Sequence, residues 1–223
     1  MGLILEAFVR KSARSALVAI VAACAATSFS LISASADPWP FSVPGFHPDQ
    51  GPSHGHCFVE GDAEPVDAMR ERMVDAMQYM DSNTQANLNF SSPCDRDGPG
   101  ETDVVWRGER VFFQGEEVIG LSGCSSVRGG VCDRYRVFVN GPLVREHYSS
   151  EEAEHRQYRK TSCHELGHTL GLDHYATEDD RFNNGDSSAY NRSCQRSGFV
   201  GFVTDNWTRQ WEGHHIDHIN DWF

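Results

Sequence analysis

Between residues 164 and 174 the chain reads His-Glu-Leu-Gly-His-Thr-Leu-Gly-Leu-Asp-His, and this string restricts the fold more than any other feature of the sequence. His164 and His168 are four residues apart, so a helix stacks their imidazoles on one face, where both can close on one metal ion. Glu165 is rotated by about 100 degrees from His164 and projects beside that metal, placed to act as a base on a water. Gly171 stands where a residue without Cβ can turn left-handed, stop the helix and reverse the chain, which delivers His174 as third ligand. Three neutral imidazoles and one open position describe a catalytic zinc site, because a structural site fills all four positions with protein groups. In a chain of this composition, five defined residues at this spacing arise by chance with odds of roughly 10⁻⁴.

The helix that carries the motif starts at Ser150, a capping residue. Glu151, Glu152 and Glu154 suit its positive end, and no proline or glycine interrupts it before Gly167. An earlier helix opens at Pro65, places Val66, Met69, Met73, Val74, Met77 and Met80 at helical spacing, and ends near Asp81-Ser82-Asn83. At that period the methionines form a core face. Between the helices lie short β-prone runs at Ala86–Phe90, Asp103–Trp106, Arg110–Phe113, Val118–Leu121 and Tyr135–Val139.

The eleven-residue string matches the H-E-x-x-H-x-x-G-x-x-H signature of the metzincin zinc endopeptidases, and the chain resembles secreted bacterial members similar to matrixins and snapalysins. His174 is matrixin-like, since snapalysins carry Asp there. The resemblance implies an α+β fold: a mixed, twisted sheet with a backing helix, a zinc-site helix as cleft floor, and a small C-terminal subdomain with a terminal helix. It also implies a methionine in a tight turn beneath the metal. This chain has no methionine after Met80, and Ser193-Cys194-Gln195-Arg196-Ser197-Gly198 is the stretch expected to form that turn, with Gln195 at the methionine position.

The N-terminus has the pattern of an export signal. Arg10, Lys11 and Arg14 precede a mostly apolar stretch, Ala16 to Ile32, and Ala34-Ser35-Ala36 offers small residues for cleavage before Asp37. Residues 1–36 are therefore expected to be a signal peptide, with lipid anchoring at Cys24 at the cell surface as the alternative. Six cysteines remain after cleavage: Cys57, Cys94, Cys124, Cys132, Cys163 and Cys194. An even set in an exported chain reads as three disulfides, for which fifteen pairings exist. The close Cys124/Cys132 spacing suggests a hairpin-like staple, and Cys163 with Cys194 and Cys57 with Cys94 is the expected remainder. Residues 37–56 hold five prolines and read as an extended arm, excluded from regular helix or central strand. A latency segment with Cys57 on the metal is the bolder reading of the arm. Residues 57–223 form the expected catalytic domain.

A formal charge of -13, with 19 basic against 32 acidic residues, sets nucleic acid and anionic lipid aside as general partners. Thr177 to Ser188 is rich in oxygen ligands, which raises a calcium site without EF-hand spacing. His214, His215, Asp217 and His218 fall on a C-terminal helix expected to be packed or solvated, with a second metal as the alternative. Asp173, Tyr175 and Tyr190 are polar neighbours of the motif with no assigned role. The expected function is that of a secreted, monomeric zinc endopeptidase with one catalytic zinc, a polypeptide substrate, no transmembrane domain after cleavage, and Glu165 as general base. A catalytically silent metzincin-like zinc-binding protein and a small-substrate zinc hydrolase are the competing classes.

Overall fold

Met69, Met73, Met77 and Met80 recur every three or four residues, and the helix this spacing dictates, α1 (Asp67–Asn83), buries all four. Val66 lies outside the stripe: it is the N-cap and is 48% exposed. The computed structural model describes residues 47–51, 53–92, 94, 103–173, 193–196, 198–200 and 206–223, all within one compact unit, Ser33–Phe223. Residues 1–36, expected to be a signal peptide, with Cys24 among them, and the oxygen-rich 177–188 stretch lie outside the described residues.

The elements run β1 (Ser53–Phe58), α1, β2 (Asn87–Phe90), β3 (Val104–Arg107), β4 (Val111–Phe113), β5 (Glu116–Val118), β6 (Gly120–Arg128), β7 (Val131–Val139), α2 (Gly141–His147), α3 (Glu151–Thr169) and α4 (Gly213–Trp222). A short 3₁₀ turn, Asn206–Arg209, precedes α4. The fold is α+β. Among the described residues five strands make a mixed sheet in the order β2-β1-β3-β7-β6, with β6 alone antiparallel to its neighbour and standing at one edge. β4 and β5 form a separate two-stranded hairpin. Helix α3 packs on α1 and on the β6–β7 end of the sheet. The core between them contains Val104, Trp106, Val137, Val139, Leu166, Leu170 and Leu172 besides the methionines. Burial of such side chains contributes roughly 1.5–3 kcal/mol each.

Three disulfides join Cys57 to Cys94, Cys124 to Cys132 and Cys163 to Cys194. Cys57 is thus a buried disulfide partner, which corrects the latency reading: it offers no thiolate to a metal. The arm reading is corrected as well. β1 begins at Ser53, inside the stretch expected to be an arm, and it is an interior strand flanked by β2 and β3. The physical reason is local: the last proline is Pro52, so from Ser53 every residue has an N–H for the ladder. Further back, the backbone of Asp49 donates to Cys132 O and that of Cys132 to His47 O, so this piece of the arm runs beside the start of β7. β6 also extends beyond the run expected at Val118–Leu121. Its Ser-Gly-Cys-Ser-Ser sequence has little strand propensity, and pairing to β7 with the Cys124–Cys132 bridge holds it. Among the described residues no helix is long and apolar enough to cross a membrane.

Candidate metal centre and active site

Helix α3 is capped as its sequence requires. The Ser150 hydroxyl accepts from Ala153 N at 3.3 Å, and three glutamates fill the first turn. At its other end Gly171 takes φ +88, with Gly171 N on His168 O at 3.1 Å and Leu172 N on Gly167 O at 2.9 Å. This bond pair is a Schellman closure, which needs a left-handed residue and finds glycine there. The helix therefore stops where the motif predicts, and the chain turns back.

That turn and a second one set the orientation of the two histidines. His168 Nδ1 lies 2.8 Å from Leu172 O, the carbonyl presented by the Schellman turn. His164 Nδ1 lies 2.9 Å from Cys194 O, in the turn expected beneath the site. A carbonyl only accepts, so each Nδ1 carries the proton and each Nε2 presents a lone pair. The two Nε2 atoms face each other at 3.2 Å. Two lone pairs this close repel unless a proton on one ring or a metal ion lies between them. Ligand nitrogens about 2.0–2.1 Å from a tetrahedral zinc are about 3.3 Å apart, so the pair fits that ion. Among the described residues no group of three His, Cys, Asp or Glu side chains surrounds a common point. His174, Tyr175 and Tyr190 lie outside the described residues.

Glu165 is buried, 5% exposed, on the face of α3 that meets β6. Ser122 Oγ lies 3.0 Å from Glu165 Oε2 and 2.8 Å from Glu165 O. Burial pushes the Glu165 carboxyl up to about 7, while the Ser122 hydrogen bond and the charge of Lys160 oppose that rise. Lys160 is itself buried, with Nζ 3.4 Å from Gly198 O, and burial lowers its ammonium to about 7.

Gln195 is fully buried under α3. Its Nε2 donates to His164 O at 3.1 Å, its backbone N–H donates to Ser193 Oγ at 3.2 Å, and a Cβ on Gly167 would lie 1.6 Å from Nε2. Gln195 Oε1 meets no donor among the described residues. The Cys163–Cys194 disulfide ties this turn to the residue before His164. On α4, His215 is buried with Nδ1 3.3 Å from Ser193 Oγ, a packing role that supports the same turn. His214 faces Glu212 Oε2 at 3.3 Å, and its ring lies 6.0 Å from that of His218.

Sequence reasoning did not single out Ser122, Gly120, Lys160 or the two orienting carbonyls. Lys160 had a signal, since it precedes His164 by four residues and so shares its helix face. Ser122 and Gly120 reach Glu165 only through the β6–α3 packing.

No family model and no curated protein matches the chain. Among solved structures it is similar to the crystal structure of archaemetzincin from Methanopyrus kandleri, at 14% identity and a TM-score of 0.46, over 78% of this chain and 97% of that one.

Proposed function

We propose that the chain is a secreted zinc-dependent endopeptidase of metzincin type, with His164, His168 and His174 as metal ligands and Glu165 as general base. The observation that carries the reading is the facing pair of His164 and His168 Nε2 atoms, each fixed by a carbonyl on its Nδ1, with a buried carboxyl, Glu165, next in the chain to His164. The string from His164 to His174 adds the third ligand and the matrixin-like character. A zinc ion held there supplies a Lewis acid for the scissile carbonyl and acidifies water toward neutrality. Glu165 takes the proton from the attacking water and passes it to the leaving amine. Gly171 and the turn at Cys194 hold the imidazoles in the tautomer that can ligate. Among the described residues β6 is the antiparallel edge strand of the sheet, a place where an extended polypeptide can pair. The export signal and the three disulfides support extracellular action.

The test is metal analysis of the purified protein combined with a protease assay on a denatured polypeptide. Zinc near one per chain is expected, with cleavage abolished by a chelator. Glu165→Ala should keep the metal and lose nearly all turnover, whereas His168→Ala should lose both. Full activity in Glu165→Ala would refute the general-base assignment, and zinc without cleavage in the wild-type protein would support a silent binding protein.

A further inference from the structure

Strand β6 places two small residues, Gly120 and Ser122, two positions apart and hence on one face of the sheet. Their register partners on β7 are Val139 and Val137, both fully buried beneath α3, so this is the face that meets the helix. A Cβ added at Gly120 would lie 2.5 Å from Glu165 Oε1, 2.9 Å from Glu165 Cγ and 2.6 Å from Thr161 Cγ2. Only a residue without a side chain leaves the carboxylate its place. One step along, the Ser122 hydroxyl reaches Glu165 Oε2 and, from the same position, Glu165 O.

We propose that Gly120 and Ser122 form a cradle in β6 that positions the general base, with Ser122 as a two-way hydroxyl that serves both protonation states of Glu165. The inference rests on the peptidase reading, in which Glu165 gains and loses one proton per turnover. A serine hydroxyl has one hydrogen and two lone pairs. While Glu165 is ionised, the hydrogen goes to Oε2 as a charge-assisted bond, which is stronger than a neutral one. Ser122 thereby occupies Oε2 and leaves Oε1, in the gap over Gly120, as the oxygen that receives a proton. When an O–H bond of the attacking water breaks and one forms at Oε1, Oε2 becomes the weaker carbonyl-type acceptor. The Ser122 hydrogen then has Glu165 O within reach at 2.8 Å. When the proton leaves Oε1 for the amine, the hydroxyl returns to Oε2. No other donor is consumed, and the carboxyl keeps its orientation through the cycle. Ser122 acts through Glu165 and is a positioning residue.

Two measurements test this. In the zinc-loaded enzyme, Ser122→Ala should lower kcat by about tenfold, equivalent to 1.4 kcal/mol of barrier, with KM within about twofold and zinc content unchanged. Ser122→Thr keeps the hydroxyl and should restore most of kcat. In the metal-free protein, urea unfolding of Ser122→Ala, Glu165→Ala and the double variant should show the two sites coupled by about tenfold in the unfolding constant. Wild-type kcat in Ser122→Ala, or strictly additive unfolding effects, would overturn the cradle. If that happened while Glu165→Ala remained inactive, the peptidase reading would stand, whereas an active Glu165→Ala overturns the reading itself.

Discussion

At the scale of single residues, Gln195 sets a polar amide where the family resemblance calls for a thioether. Its Nε2 bond to His164 O is an extra bond to a helix carbonyl, worth about 0.5–1.5 kcal/mol, while Oε1, with no donor among the described residues, costs about 1–3 kcal/mol. Methionine has similar length and no branch, so it fills much of the same space and removes the orphaned oxygen. Gln195→Met is therefore expected to leave the melting temperature unchanged or higher, to keep zinc stoichiometry, and to change kcat by less than about tenfold. A zinc-free variant, or one whose activity rises from nothing, would contradict this and favour the silent binding protein. The residues of the motif were legible because helical period alone relates His164, Glu165 and His168. Glycine at position 171 likewise announces a helix end. The resemblance leads one to expect Gln195 in a turn, whereas its bond to His164 O depends on the bare surface of Gly167, which no spacing rule reveals.

Among the elements, both long helices could be read from the sequence, since α1 has a stripe of methionines and α3 has a cap and an acidic first turn. The strands were less legible. β1 follows directly on prolines that mask it, and the serine- and glycine-rich β6 becomes a strand through its partner β7 and a disulfide. The turn at Ser193–Arg196 depends on another such link, Cys163–Cys194, which closes a loop with a sequence separation of 31 residues. Removing a bridge of that size costs about 2–4 kcal/mol. The Cys163→Ala/Cys194→Ala protein should therefore melt lower. It should also bind zinc more weakly than wild type under equal conditions, because Cys194 O no longer stays fixed on His164 Nδ1. Thermal denaturation and competitive chelation would read the two effects, and unchanged zinc affinity would refute the orienting role.

For the whole molecule, two buried bases shape the response to pH. Burial, helped by the nearby His56, lowers His54 to about 3 from 6.5, and burial lowers Lys160 to about 7 from 10.5. Across each window the unfolded chain holds a proton that the folded one lacks, so stability rises with pH. The metal-free protein should gain stability in an upper step from about pH 7 to 10.5 through Lys160, while the His54 gain from about 3 to 6.5 is opposed by Glu165, whose carboxyl raised to about 7 makes stability fall with rising pH between about 4.5 and 7. Lys160→Met should erase the upper step and stabilise the fold below about pH 7, on the order of a few kcal/mol. Urea unfolding over a pH series would show it, and an upper step that survived in Lys160→Met would assign it elsewhere. Neither base is visible as buried from composition, since the burial of His54 in β1 and of Lys160 in α3 is set by the elements that pack over them. The joint between Cys163 and Cys194 also has a bearing on where the molecule can work. His164, the carbonyl that aims it and the sulfur bridge form one small ring, part covalent and part hydrogen-bonded. In a reducing cytoplasm that ring is open, and the first imidazole is aimed by the helix alone. Under the proposed reading of an exported hydrolase, a cell making it would be shielded by timing, the blade being set only after the chain has left the compartment where it was made.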